Sequence, residues 1–198
     1  PRDTQQLDSC PVVGAMLVHG RRATRVGAAS VLRLVGSDAV RSIIAGVESG
    51  SLMSAWPFNS LRHSAGTVAE VLREVDPDPV GSLLEALRDR DPQIQISSLL
   101  VLRALGMSQA VGYLAEMLKD ARTKLRIYVV RALGGIKGDE ATEALIAALG
   151  DSNSLVRMEA LRELKERVDS PGVRDAASRC QQDRSKHVRE MARGLLKP

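Results

Sequence analysis

Apolar and polar positions along this chain follow the period of an α-helix, and the helical pattern itself returns about every 31 residues, a spacing typical of repeat arrays. An apolar residue followed by Arg heads it: Leu125-Arg126, Val156-Arg157 and Val188-Arg189 stand one such interval apart, the second gap being one position longer than the first. Ile94-Gln95 stands a further interval upstream with Gln replacing Arg, and Leu61-Arg62 and Thr24-Arg25 extend the series. Three residues after that Arg or Gln come Ala28, Ala65, Ser98, Val129, Ala160 and Ala192; seven after come Leu32, Ala69, Leu102, Leu133, Leu164 and Leu196. A mostly small residue and, four positions on, a mostly leucine one form a helix stripe, the first admitting a neighbouring helix and the second filling the space beyond. A second helix repeats with it: Val40-Ile43-Val47, Val80-Leu83-Leu87, Val111-Leu114-Leu118, Thr142-Leu145-Leu149 and Val173-Ala176-Cys180. The last members of the final four sets fall at 87, 118, 149 and 180, which puts Cys180 in the place of Leu149 and Leu118.

The breaks agree with this reading. Gly36-Ser37-Asp38, Gly106-Met107-Ser108, Gly138-Asp139 and Ser170-Pro171-Gly172 separate first from second helices: Gly ends one helix in a left-handed conformation and Ser or Asp caps the next. Asp78-Pro79 and Asp91-Pro92 place Pro in a first helical turn behind a capping Asp. The pattern predicts an all-α chain with no strand, its helices roughly 11 to 15 residues long and its turns about 2 to 5, both ordinary lengths for packed helices. Five two-helix units are expected at 23–47, 60–90, 92–120, 123–151 and 153–184, with a half unit at each end. One half is an orphan helix at 7–20 with Cys10, Val13 and Leu17 on its apolar face; the other is a helix at 185–196. An insertion at 48–59 carries Trp56 and Phe58. Such arrays form extended surfaces more often than catalytic centres.

Composition narrows the picture. Aromatic residues make up only 2% of the 198, so the core must be packed from Leu, Val, Ile and Ala, which suits closely spaced helices. The net charge of +4 is spread over interleaved basic and acidic residues rather than a one-signed stripe. Cys10 and Cys180 lie at opposite ends of the array, too far apart in an elongated molecule to pair, and two thiols fit a cytoplasmic protein. No apolar run reaches the roughly 18 residues that span a bilayer. The chain opens at Pro1 without Met, which reads as an excised piece of a larger protein with any leader or membrane segment removed.

Taken together, Leu155-Val156-Arg157-Met158-Glu159-Ala160-Leu161 and the run from Arg131 to Ala141 resemble HEAT repeats, most closely the short phycobilisome-lyase type. The resemblance spans Thr24 to Pro198 and implies a right-handed α-solenoid of bacterial type whose second helices line a concave face. It also invites enzymatic readings. In HEAT-like hydroxylases His-Glu pairs hold iron, yet none of His19, His63 and His187 is followed by Glu, so no metal or cofactor is expected. A lyase-like or chaperone role in attaching a cofactor to a protein is one alternative, with Cys180 read as a buried apolar residue and Cys10 left unplaced. HEAT-like DNA glycosylases suggest nucleic-acid binding, which needs clustered Arg and Lys that the second helices do not show. Their exposed sides are expected to carry Arg41, Ser42, Glu85, Tyr113, Glu116, Glu143, Ala147, Arg174 and Arg179.

The leading expectation is a non-enzymatic scaffold that holds another protein at Tyr113, Glu116, Glu143 and Arg174, or at Trp56 and Phe58 of the insertion. Unpaired terminal helices offer a route to oligomers. Separately, Asp120, Asp151 and Asp183 each precede Arg126, Arg157 and Arg189 by six residues. That register predicts a structural ladder between repeats, in which Arg reaches an Asp or a free carbonyl across the turn.

Overall fold

The computed structural model describes residues 78–197 apart from 121, together with residues 65, 66, 68–70, 72 and 73 of a helical stretch upstream. The expected helix at 7–20, the unit at 23–47 and the insertion with Trp56 and Phe58 lie outside the described residues, as do Arg41, Ser42, Cys10, His19 and His63. Every regular element among the described residues is helical. The chain divides into two compact units, Pro1–Leu105 and Gly106–Pro198. In the first, α1 (Pro79–Ala86) packs on α2 (Pro92–Leu105). The second contains α3 (Val111–Met117), α4 (Thr123–Gly135), α5 (Asp139–Ala148), α6 (Ser154–Leu164), α7 (Val173–Cys180) and α8 (Lys186–Leu196). Single 3-10 turns stand at Ser108–Ala110 and Lys165–Arg167.

Within the second unit, the first helices α4, α6 and α8 stack in order, and the second helices α3, α5 and α7 lie side by side along them. The small positions make the close approach: Val129, Ala160 and Ala192 are wholly buried, as are Leu133 and Leu164, while Leu196 is half-buried. Each such leucine stabilises the stack by roughly 1.5 to 3 kcal/mol on removal from water. In the first unit Asp78 caps α1 by accepting from the Gly81 N–H at 2.9 Å, and the Asp91 carboxylate accepts from the Gln93 N–H at 2.8 Å where α2 begins.

The second helices depart from the expected length. The α1, α3, α5 and α7 helices have 8, 7, 10 and 8 residues, shorter than expected, because each tightens before its end. The final turn runs on i→i+3 bonds such as Lys119 N–H to the Glu116 carbonyl and Asp120 N–H to that of Met117. The glycines also work differently from the expectation. Gly106 does follow a first helix, with φ +65°. Gly138 and Gly172, at φ +113° and +77°, instead stand directly before α5 and α7, so their freedom serves the entry to a second helix. The preceding helix α4 has already ended at Gly135, with Ile136 extended.

The bond pattern also revises one register. Leu87, Leu118 and Leu149 follow α1, α3 and α5 directly, and Gln181, not Cys180, follows α7. Asp183 N–H bonds the Cys180 carbonyl as Asp151 N–H bonds that of Ala148. Cys180 therefore corresponds to Ala148, and the interval here is the longer one, as it is between Arg157 and Arg189.

Candidate interaction site

Each second helix runs into an Asp that folds the following turn. The carboxylates of Asp89, Asp120, Asp151 and Asp183 accept the backbone N–H two residues on, from Asp91, Arg122, Asn153 and Ser185, at 2.7 to 2.9 Å. These turns aim the next first helix and bring its Arg back onto the joint. Arg126 donates from Nη1 to the Asp120 carbonyl at 2.7 Å, Arg157 to that of Asp151 at 2.8 Å, and Arg189 to that of Asp183 at 2.7 Å. The other edge of the guanidinium reaches forward to the next repeat. Arg126 holds the Asp151 carboxylate through Nε and Nη2 at 2.8 and 3.0 Å, and Arg157 holds Asp183 at 2.8 and 2.7 Å. So each Arg takes the carbonyl of the Asp six residues behind it and, for Arg126 and Arg157, the carboxylate of the Asp at the next joint. The Asp120 carboxylate is engaged by the Arg122 side chain. At Gln95, the same position, Nε2 donates to the Leu87 carbonyl at 2.9 Å.

The Arg126–Asp151 and Arg157–Asp183 pairs are buried, the Arg122–Asp120 pair less so, and the ionisation of all three carboxyls is shifted. The Arg157 hydrogen bond holds the Asp183 carboxyl below the usual carboxylate range, against desolvation. Burial pushes Asp151 upward, and the bonds from Arg126 and the Asn153 N–H outweigh it, so its net direction is also down. Asp120 is lowered first by its bond to Arg122. A bidentate Arg–carboxylate pair of this kind fixes orientation as well as charge.

A further set of charges was not legible in the repeat pattern. Glu159 on α6 is buried and accepts from Arg131 of α4 at 2.5 Å and from Arg162 of its own helix. Arg131 also lies over the Tyr128 ring, 5.1 Å from its centre. Glu163 lies against the bare Cα of Gly134, where a Cβ would meet its carboxylate. Arg167 reaches back to close the end of α4, donating to the carbonyls of Gly134 and Ile136 at 2.9 and 2.6 Å. The positions of Glu159 and Arg167 hold Tyr128 and Ile136 one repeat earlier, so no recurrence marks them.

The residues expected on the exposed side of the second helices lie as follows. Glu85, Glu116, Glu143, Ala147, Arg174 and Arg179 are exposed and Tyr113 is half-buried. Glu116 pairs with Lys119 at 2.7 Å. In the corrected register, Glu143 stands in a row with Gly112 and Asp175, and Glu116 in a row with Ala147 and Arg179. Arg174 falls in the row of Val111 and Thr142, and so is not brought into the row of Glu143. At the turn edge an open polar cavity of about 580 Å³ is lined by Lys119, Asp120, Thr123, Arg126, Asp151 and Asn153. Both carboxylates and the Arg126 guanidinium there are already committed to one another or to the turns.

Groups that carry chemistry elsewhere are quiet here. Cys180 is buried and desolvation pushes its thiol up, the reverse of what activates a nucleophile. His187 is exposed on α8. Among the described residues no three of His, Cys, Asp and Glu gather where a metal could sit. No helix among them is long and apolar enough to cross a membrane.

Comparison with known proteins agrees with this geometry. Human deoxyhypusine hydroxylase, solved with glycerol, superposes with a TM-score of 0.52 at 18% identity, covering 97% of this chain and 96% of that one; the likeness is one of fold. An engineered protein aligns at 19% identity over 95% of each chain with a TM-score of 0.47. A designed armadillo repeat protein in complex with the peptide (KR)4 aligns at 15% identity over 94% and 98%, also at 0.47. No curated protein matches the chain significantly. The family model described as HEAT repeats matches residues 113–197, which run from within α3 through α8. Over residues 113–197 this chain is similar to HEAT repeats.

Proposed function

We propose that this chain is a non-enzymatic scaffold that binds another protein along the exposed face of its second helices. The observation that carries this reading is the pair of rows on α3, α5 and α7. Gly112, Glu143 and Asp175 stand open to solvent in one, Glu116, Ala147 and Arg179 in the other, opposite the buried stripe of the same helices. Among the described residues these side chains stand exposed, outside the buried stripe that holds the stack. Glycine and alanine keep the floor low while charges of both signs stand above it, which suits a polar polypeptide laid across the helices. Tyr113 borders the rows as an amphipathic contact of the kind that anchors interfaces.

Charge reversal tests it. Glu143→Arg and Arg179→Glu, made singly in the intact chain, should each leave stability within about 0.5 kcal/mol, as exposed substitutions do. With a photocrosslinker at Ala147 and the chain returned to its source cells, the same variants should lose the covalent protein adduct seen with the parent chain. Adducts that persist unchanged in both variants would refute the face as the binding surface.

A further inference from the structure

The joints between repeats treat their two signs of charge differently. The ladder draws carboxylates inward: Asp151 and Asp183 keep side-chain exposures of only 8% and 11%. Basic neighbours stay outside. Lys124 is the second residue of α4, Lys186 is the first of α8, and Arg184 stands in the turn between α7 and α8; all three are exposed. Arg184 reaches back to the Ser152 carbonyl of the preceding joint, so the two joints share one edge. Among the described residues no carboxylate forms an ion pair with Lys124 or Arg184, and Lys186 meets Glu190 only at 3.7 Å.

Helix stability gives no reason for this placement. The start of a helix favours negative charge, and α5 and α7 comply, with Asp139, Glu140 and Asp175 in their first turns. The α4, α6 and α8 helices carry no acidic residue there, and α4 and α8 place a lysine instead. Between them lies α6, whose second residue, Leu155, is 56% exposed. Its counterparts on α4 and α8 are Lys124 and His187, so the stack does not require a leucine at this position. Met158, one turn further on, and Ile127, its counterpart on α4, are half-buried and extend the apolar surface along the first helices.

We propose that this edge docks an acidic segment of another protein that carries an apolar side chain between its carboxylates. The apolar group covers Leu155, and the carboxylates meet Lys124 on one side and Arg184 with Lys186 on the other. A nucleic acid would meet the cations with its phosphates and leave Leu155 facing water. The edge lies at the helix ends and does not depend on the second-helix face proposed above.

The probe is a synthetic peptide with one leucine flanked on both sides by glutamates, titrated into the intact chain labelled with 15N. It should shift the amides of Lys124, Leu155 and Lys186, leave those of Glu143 and Asp175 in place, and bind more weakly as salt is added. Leu155→Ser should weaken it about tenfold, the loss expected when a covered leucine is truncated. A serine in place of the peptide's leucine should cause the same loss and add nothing to that of Leu155→Ser. Lys124→Glu should weaken the peptide several-fold while the melting temperature stays equal or rises, because a cation has left a helix start. Unchanged binding by Leu155→Ser or by Lys124→Glu would overturn the proposal. So would a single-stranded oligonucleotide that shifts the same amides and is indifferent to Leu155→Ser, since the edge would then serve phosphates. A dimer in sedimentation that Lys124→Glu abolishes would overturn it too, since a second copy of the chain would then cover the edge.

Discussion

At the scale of single residues, the ladder arginines decide most. Arg157 has side-chain exposure of 5% against 11% for Asp183, so removing either partner leaves the other charge buried. Arg157→Ala should cost about 3 to 5 kcal/mol, read as a lower midpoint in chemical denaturation. The paired change Arg157→Met with Asp183→Leu should cost less than either single truncation, because no orphan charge remains. Acid sensitivity follows from the same pairs. The Asp120, Asp151 and Asp183 carboxyls are lowered in the folded chain, so their stabilisation is complete above the unfolded value near about 4 and is lost as pH falls through the folded values. Circular dichroism followed from pH 6 downward should show the parent unfolding in this acid window, with Asp183→Asn starting less stable and sloping less steeply. The spacing of Asp and Arg was legible in the sequence; the oxygen each Arg would choose was not. The Asp six residues back offers its backbone carbonyl, while its carboxylate folds the turn and, at Asp151 and Asp183, also takes the Arg of the preceding repeat.

At the scale of elements, the first helices read cleanly because their small and leucine positions recur and are buried together. The second helices read less well, since an apolar pattern at i, i+3 and i+7 continues smoothly into a turn of i→i+3 bonds and hides where the helix stops. The glycines were visible as breaks, but which helix they belong to depends on φ. Gly138 at φ +113° and ψ 166° occupies a region essentially reserved for glycine. Gly138→Ala should therefore lower the melting temperature, by about 1 kcal/mol or more in stability, although nothing lies within 4 Å of the added methyl. Loss of only a tenth of that would show the loop can re-form. Glu159 and Arg167 went unseen because they act at one joint only, and a reading built on recurrence is blind to single occurrences.

At the scale of the whole molecule, stability is a sum over neighbours rather than the yield of one central core. In the second unit α6 is covered by first helices on both sides, α4 and α8, whereas among the described residues α8 packs chiefly on α6 and α7. Native-state hydrogen exchange should rank amides accordingly, slowest in α6 and faster in α8, with Arg157→Ala accelerating α7 and α8 ahead of α4. Uniform exchange across these helices would mean the unit opens as one body. That the chain is an array was legible from the interval alone. What it holds was not, because the second-helix face differs from row to row and carries no recurring side chain.

From Arg126 to Arg189 the interval between repeats lengthens once, by a single position, yet the six residues from Asp to Arg never vary across Asp120, Asp151 and Asp183. The added residue falls between α6 and α7, away from the joint that the arginines clamp. In the second unit this added length stays at the edge away from the Asp–Arg joints. A foreign segment spliced between Val168 and Gly172 should hang from that edge as a tethered passenger, while the same segment placed between Asp151 and Arg157 should pull the fork off its carboxylate and unseat the stack.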